Sequence, residues 1–427
     1  MPAARIWGRL LGVNPAVVES VEFDGAAQVL VAAVRVRSRD RDRCGVCSRR
    51  CPRYDAGRGR RRWRALDLGT IQAFVEADAS RVRCRQHGVV VSAVPWARHG
   101  AGHTRAFDDT VAWLATATSR STVAQLMRIA WPTVGSIITR VRADIDARVD
   151  RLAGLRRIGV DEISYKKNHR YLTIVVDHDT GRLVWAAAGN DKPTLAVFFE
   201  LLGADRCAQI THVSADAAAW IARTVEQYCP DAIRCADPFH VVKWATDALD
   251  QVRRQVWNTA RRQPGGSHKD RRGRTASAGP AQGMKRARWA LWKNPDNLTD
   301  HQRHKLTWIA KTNPRLYRAY LLKEGLRHVF AVGGRAGKEA LQRWLSWAVR
   351  CRIPEFVKLA RTIRSELPAI HASLDHGLSN ALIESTNTKI RLLTRLAFGF
   401  KHADALISLA LLALGGYRPE LPDRTHT

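Results

Sequence analysis

Apolar and polar positions alternate over residues 17–36 (VVESVEFDGAAQVLVAAVRV) on both sides of Asp24-Gly25, which predicts two short strands around a turn. An arginine-dense stretch with the first three cysteines follows and closes with RVRCRQHG at 81–88, so a small β-rich module is expected here. From 104 to 150 the spacing becomes helical: Val123, Leu126 and Ile129 make one stripe, Trp131-Pro132 breaks it, and Val134, Ile137, Ile138 and Val141 make the next.

Beyond 156 the pattern changes again, to apolar β-type runs (RRIGVDEI, RYLTIVVDHDTGRLVWAAA, ITHVSAD) separated by turns. RYLTIVVD and RLVWAAA flank Asp179-Thr180-Gly181, a hairpin signal, and three strands followed by alternating helix and strand predict an α/β sheet. A helix is expected at about 239–260, then a polar, basic, Gly/Ser-rich segment at 261–288 that reads as a mobile loop without a core of its own. Helical periodicity with many Trp and Leu returns over 289–372, and 378–415 predicts a long helix and a Leu/Ala-rich one, with no internal repeat.

A chain of 427 residues exceeds one ordinary core, and 45% hydrophobic residues suffice for several. The charge balance is more informative, since 70 Lys+Arg against 39 Asp+Glu leave +31 and a pI near 10.9, which calls for a polyanionic partner such as nucleic acid. A codon bias toward arginine explains part of the Arg excess over Lys, but not the shortage of acids. The start, MPAARIWGRLLGVNP, lacks a signal-peptide pattern, and no apolar run approaches the ~18 residues of a spanning helix, so the expectation is a cytoplasmic, nucleoid-associated protein with no membrane partner. In a reducing compartment the eight cysteines are thiols, and Cys44-x2-Cys47 reads as a metal knuckle.

Two thiolates two residues apart can face one metal from a tight turn, and Cys84 with His87 repeats that spacing. Zn2+ held by Cys44, Cys47, Cys84 and His87 is the favoured reading, because an arginine-rich module has few other means of staying ordered; Cys51 competes for the fourth position. Thirteen arginines from Arg35 to Arg64 surround these ligands, with few acids to pair them. Residues 120–143 have a short helix, a turn ending in Pro132-Thr133 and a second helix, a helix-turn-helix pattern. Arg60, Arg61 and Arg62 in the module and Thr133 and Arg140 on the second helix are the candidate DNA contacts.

Metal-assisted phosphodiester chemistry needs acids that converge on hard cations. Asp161 follows RIGV at the end of the first predicted strand of the α/β region, and Asp216 follows ITHVSA at the end of the fourth. In SNALIESTNTKIRLLTR, Asn380, Glu384, Asn387 and Arg391 fall on one helical face that can lean on the sheet. Asp161, Asp216 and Glu384 are therefore the candidate catalytic acids for Mg2+ or Mn2+. Glu162 is a weak rival, since it alternates to the opposite face, and Asp237, directly before Pro238, suits a helix N-cap. His240 reads equally well as a group near the scissile phosphate and as a satisfied residue in a helix start.

At these residues the chain resembles the DDE transposases of bacterial insertion sequences, specifically the zinc-ribbon-bearing ISL3 family. The resemblance rests on the Cys-x2-Cys ribbon, the helix-turn-helix, GVDE at 159–162, VSAD at 213–216, ADPFHVVKWATDALDQVRR at 236–254 and NALIESTNTKIRLLTRLAFGF at 380–400, and spans about 40 to 415. It implies an α/β, RNase H-like catalytic core with Asp161, Asp216 and Glu384 as the metal-binding triad and a helical insertion between the second and third acids. The family's second cysteine pair is here Cys84 with His87. The expected organisation is an N-terminal β and short helical segment (1–37), a zinc-ribbon-like module (38–98), a helix-turn-helix domain (104–150), a DDE catalytic domain (155–415) with the insertion at about 255–372, and a tail (416–427). The implied activity is metal-dependent strand cleavage at the element's terminal inverted repeats and strand transfer into target DNA, carried out by a homo-oligomer on double-stranded DNA. A non-catalytic zinc and helix-turn-helix regulator would not need the acids or the large C-terminal body. A plain RNase H-like nuclease would share the acids but have no use for two DNA-recognition modules.

Overall fold

A computed structural model describes residues 3–166, 170–216, 218–263, 267–269, 275–277, 279–284, 287–378 and 381–421. Helix α1 (Ala3–Leu10) leads into the antiparallel pair β1 (Val17–Asp24) and β2 (Val29–Arg35). Asp24 fixes the turn between them, its Oδ1 accepting from the backbone N–H groups of Ala26 and Ala27 at 3.0 Å each. Strands β3 (Arg53–Asp55), β4 (Arg60–Arg64), β5 (Gln72–Asp78), β6 (Arg81–Cys84) and β7 (Gly88–Val91) follow. They divide between a four-stranded sheet, β1-β2-β5-β4, and a three-stranded one, β3-β6-β7. The first sheet joins the N-terminal hairpin to strands beyond the first cysteine pair, over a core that includes Val34, Val75, Trp63 and Trp96.

Helices α2 (Arg105–Ala115), α3 (Arg120–Leu126) and α4 (Trp131–Asp146) form the helix-turn-helix region. Thr104 and Ser119 cap the first two through side-chain oxygens that accept from Phe107 N and Thr122 N. Two details differ from expectation. Helix α4 starts one residue before Pro132, with Ala130 at the cap, so Pro132-Thr133 lies inside the first turn, where proline's missing N–H is not needed. The buried stripe of α3 runs from Val123 to Met127, while Leu126 is 61% exposed.

The α/β region contributes β8 (Arg157–Lys166), β9 (Arg170–Asp177), β10 (Leu183–Ala188), α5 (Lys192–Leu202), α6 (Ala204–Cys207), β11 (His212–Ala215), α7 (Ala219–Tyr228) and β12 (Ile233–Ala236). The strand order is β10-β9-β8-β11-β12, antiparallel among the first three and parallel from β8 to β12, which is the RNase H-like arrangement. Asp161 is not at a strand end, because β8 continues to Lys166 along β9. What ends there is the parallel pairing: β11 meets β8 only over Arg157–Val160, so Asp161 and Asp216 are the first residues past the paired segment on adjacent strands.

A long helix α8 (Pro238–Arg262) opens the helical body. It is followed by the hairpin β13 (Ser267–Lys269) and β14 (Thr275–Ser277), then α9 (Gly279–Gly283), α10 (Ala287–Trp292), α11 (Asp300–Thr312), α12 (Pro314–Val332), α13 (Gly334–Arg350), α14 (Pro354–Ser365) and α15 (Leu367–His376). Their core includes Leu249, Leu326, Trp344, Phe356 and Ile370. The expectation of a coreless loop at 261–288 fails where the segment is described, since Ala281 and Met284 are buried; 264–266, 270–274, 278 and 285–286 lie outside the described residues. Helices α16 (Ala381–Leu396) and α17 (Ala403–Leu414) return to the sheet.

The two faces of the sheet bury different partners. Ile158, Val160, Val175 and Val184 pack under α5 and α7 through Leu195, Phe198, Phe199 and Ile221. Ile163, Leu172, Ile174 and Val176, on the other face, share one core with Val123, Ile137 and Val141 of the helix-turn-helix and with Ile383, Ile390 and Leu406 of α16 and α17. The helix-turn-helix thus packs on α17, which in turn lies against β10, so it is joined to the sheet through that helix rather than tethered beside it.

Candidate active site and metal centre

Alternation along β8 sends Asp161 toward the face that carries Ile163, where α16 lies. Asn387 of α16 donates from Nδ2 to Asp161 Oδ2 at 2.7 Å, so the polar helical face read from the sequence does dock on the acid-bearing strand. Gly159, two residues before Asp161 on the same face, permits this approach: a Cβ there would stand 2.4 Å from Cδ1 of Ile383. Glu384, the neighbour of Ile383, sits in the first turn of α16, and Asn380 lies outside the described residues.

Asp237 is buried, caps α8 by accepting from Phe239 N at 3.2 Å, and takes a 2.6 Å hydrogen bond from His240 Nδ1. The other ring nitrogen of His240 lies 3.4 Å from Asp216 Oδ2. Asp237 therefore has the N-cap role expected of it, and His240 links it to the end of β11. The i, i+3 spacing of Asp237 and His240 at a helix start was the available signal for their pairing. The contact with Asp216 crosses strands and needed the fold.

Burial holds the carboxyl of Asp161 above the usual range, offset by hydrogen bonds from the Glu162 N–H and Asn387 and by the nearby His240. Glu384 is raised by burial first, then by the charges of Asp237 and Asp161, with His240 and Arg391 opposing. The cluster thus concentrates negative charge that a cation would relieve, and its oxygen donors suit a hard divalent ion. Glu162 bonds Asn190 Nδ2 at 3.3 Å and feels Trp220, whose helix packs on the opposite face.

The second cluster is built of softer donors. Among the described residues, Cys44, Cys47, Cys84 and His87 are the one group of potential metal ligands whose atoms all lie within 4.8 Å of one another. Cys47 Sγ is 3.8 Å from Cys84 Sγ, and His87 Nδ1 is 3.6 Å from the sulfurs of both Cys44 and Cys84. Bonds of about 2.3 Å to sulfur and 2.0 Å to nitrogen at tetrahedral angles require such edges, so the set fits zinc. Backbone N–H groups of Gln86 and His87 help lower the Cys84 thiol to about 6, favouring the thiolate that zinc needs. Cys51 stays outside the set, its thiol 3.4 Å from Arg49 O.

The candidate DNA contacts are partly engaged within the chain. Arg60 and Arg62 flank Glu76 at 3.3 and 2.5 Å, while remaining more than half exposed at 52% and 59%. Arg61 donates to Ala101 O at 2.6 Å and lies over the Trp63 ring. Thr133 is half-buried in the first turn of α4, and Arg140 reaches the fully buried Asp108 at 3.1 Å. Not read from the sequence was a buried ionic network in which Arg98, 5% exposed, contacts Asp109 at 2.7 Å and Asp144 at 2.8 Å, tying the segment after the ribbon to α2 and α4.

A family model described as a transposase, of the ISL3 type, matches residues 158–410, and models for the helix-turn-helix domain of transposase family ISL3 and for the zinc-finger of transposases IS204/IS1001/IS1096/IS1165 match 92–142 and 40–87. The chain is 61% identical over 436 aligned positions, covering 99% of it and 98% of the relative, to the transposase for insertion sequence element IS1557 of Mycobacterium tuberculosis. It is 26% identical to the transposase for insertion sequence element IS1001 of Bordetella parapertussis, over 84% of this chain and 85% of that one.

Proposed function

The chain belongs to the ISL3 family of insertion-sequence transposases, and we propose that Asp161, Asp216 and Glu384 are the acids with which it cuts and joins DNA. The observation that carries this reading is the 2.7 Å bond from Asn387 to Asp161, which joins the helix bearing Glu384 to the strand bearing Asp161. The three carboxylates would hold Mg2+ or Mn2+, which in such a site activates a nucleophile and neutralises charge at the scissile phosphate. Asn387 fixes the rotamer of Asp161, and His240, held at Nδ1 by buried Asp237, presents Nε2 to Asp216.

In the first step water oxygen bonds to phosphorus at the element end, the P–O3′ bond breaks, and the departing 3′ oxygen leaves as a hydroxyl. In the second, that hydroxyl bonds to a target phosphorus while the target's own P–O3′ bond breaks. Phosphodiesters are exchanged one for one, so the joining step needs no external energy source. Zn2+ on Cys44, Cys47, Cys84 and His87 would order the ribbon, from which Arg60, Arg61 and Arg62, with Thr133 and Arg140 of α4, contact the terminal repeats. Two ends to be cut and joined favour a homo-oligomer on DNA, acting in the cytoplasm at the nucleoid; among the described residues, no helix is long and apolar enough to cross a membrane.

The test is incubation with Mg2+ and duplexes carrying the element's ends, with nick positions mapped. Asp161→Ala, Asp216→Ala and Glu384→Gln should each lose cleavage and keep DNA binding, while Glu162→Gln stays active. Cleavage by Glu384→Gln together with its loss in Asp237→Asn would move the third ligand to Asp237.

A further inference from the structure

The AFGF end of the C-terminal motif has no part in the chemistry above. Phe398, between α16 and α17, is 90% exposed, the most exposed large apolar side chain among the described residues, and its φ of 55° lies in the left-handed region. That conformation stops α16, with Gly399 N donating to Thr394 O at 2.8 Å, at a cost that a residue with a Cβ incurs and glycine does not, and the ring it leaves in water gains nothing from burial. A large ring held out in water at a helix stop, where glycine is the usual residue, points to a partner outside the chain.

Its surroundings identify the chemistry of that partner. Arg395 and Lys401, three residues to either side of it in the chain, are exposed. Phe400, buried two residues on, receives the guanidinium of Arg120 at 5.2 Å, and the same guanidinium lies 5.6 Å from the ring of Trp131, the residue that opens α4. Arg120 has a buried Nε without a hydrogen-bond partner, and among the described residues no acid pairs with it. Trp131 is itself 52% exposed. The start of α4 and the α16–α17 loop therefore form one seam, with flat rings exposed between unneutralised cations. Stacked bases between phosphates complement both features.

Resting on the reading that this chain cuts its element's ends, we propose that Phe398 inserts between base pairs of the end duplex as it passes from the helix-turn-helix toward the acid cluster. Glu384 and Leu396 stand near opposite ends of α16, and a helical run of that length is about 18 Å, or about five base pairs of B-DNA. The unstacked step is accordingly expected about five base pairs from the scissile phosphate, on the side of the helix-turn-helix footprint.

The experiment uses the zinc-loaded full chain on an end duplex without added Mg2+, so that DNA stays uncut, and scans the duplex by permanganate oxidation of thymines and by 2-aminopurine fluorescence. Wild type should give one reactive step, with a signal roughly fivefold or more over free DNA when a base is unstacked. Phe398→Trp should keep that signal and Phe398→Ala lose it. Phe398→Gly should lose it while raising Tm, since glycine relieves the left-handed backbone, so loss of signal cannot be blamed on misfolding. Fully stacked DNA under wild type, or an unchanged signal in the Ala and Gly variants, overturns the proposal. So does a changed sedimentation coefficient of Phe398→Ala with its DNA signal intact, which would make the ring's partner a second copy of the chain. Because the readout involves no cleavage, it fails independently of the assignment of the three acids.

Discussion

A methyl group at position 159 is the smallest perturbation that should separate the two halves of the acid cluster. In Gly159→Ala the added Cβ would meet Cδ1 of Ile383 at 2.4 Å, and Cγ1 of Ile383 and Nε2 of His178 at 2.9 Å each. Ordinary carbon contacts begin near 3.5 Å, so about 1 Å must be found. His178 is held by a 2.7 Å hydrogen bond with Ser214 on β11, and Ile383 is fully buried, so the easiest relief is for α16 to lift away from β8. Overpacking of this kind costs about 1–3 kcal/mol. The lift also stretches the Asn387–Asp161 bond and carries Glu384 off its position, and a misplacement of about 1 Å costs on the order of 100-fold in rate. The assay is Mg2+-dependent nicking of end duplexes alongside thermal denaturation and DNA binding. We expect slower nicking and a lower Tm, with affinity for the ends nearly unchanged. Ile383→Val removes the nearest atom and should restore part of both losses in the double variant. Wild-type nicking and stability in Gly159→Ala would refute the reasoning.

Two further outcomes are expected. Zinc removal by chelation, or Cys44→Ser, should lower Tm and weaken end-specific binding while sparing Mg2+-dependent nicking of unspecific DNA, and elemental analysis should find zinc in the purified chain. The second concerns His103, stacked on Phe107 and lowered to about 4 by burial first and then by Arg140 and Arg64. A histidine kept neutral in the folded state contributes stability above the unfolded value of 6.5, and that contribution is lost as pH falls from there to about 4. Relative to wild type, His103→Gln should gain up to about 3 kcal/mol over that interval, and parallel pH profiles of urea unfolding would exclude the effect.

The order of elements was legible because it depends on local signals, period-two runs around turns and apolar stripes at helical spacing, and the same signals singled out Asp161, Asp216 and Glu384 as the candidate acids. The exposed Leu126 was not, because a stripe shows that residues share a face and not how far the neighbouring helix covers it. Asp161 was placed at a strand end since the apolar run stops there. The strand continues because β9 goes on pairing with it after β11 has ended, a fact of topology rather than of residue type. Arg140 stood out as a candidate DNA contact from its helix and charge, whereas its ion pair with Asp108, thirty-two positions away, follows from the packing of α4 on α2 and left no local signal. Gly159 gave no signal at all, since its importance lies in the absent Cβ and in a helix more than two hundred residues later.

The core shared by the helix-turn-helix and one face of the catalytic sheet has a consequence for how specificity can change. A reading head on a flexible tether can be exchanged for another, and the cut then falls wherever the tether allows. Here the buried side chains of α4 pack on α17, which itself lies on the catalytic sheet, so a foreign recognition helix would have to match that surface before it could read a base. The same rigidity makes the protein a caliper: the offset between the bases it recognises and the bond it breaks is set by packed atoms. New elements recognised by such an enzyme would then be expected to differ in the letters of their ends while keeping the interval from those letters to the cut.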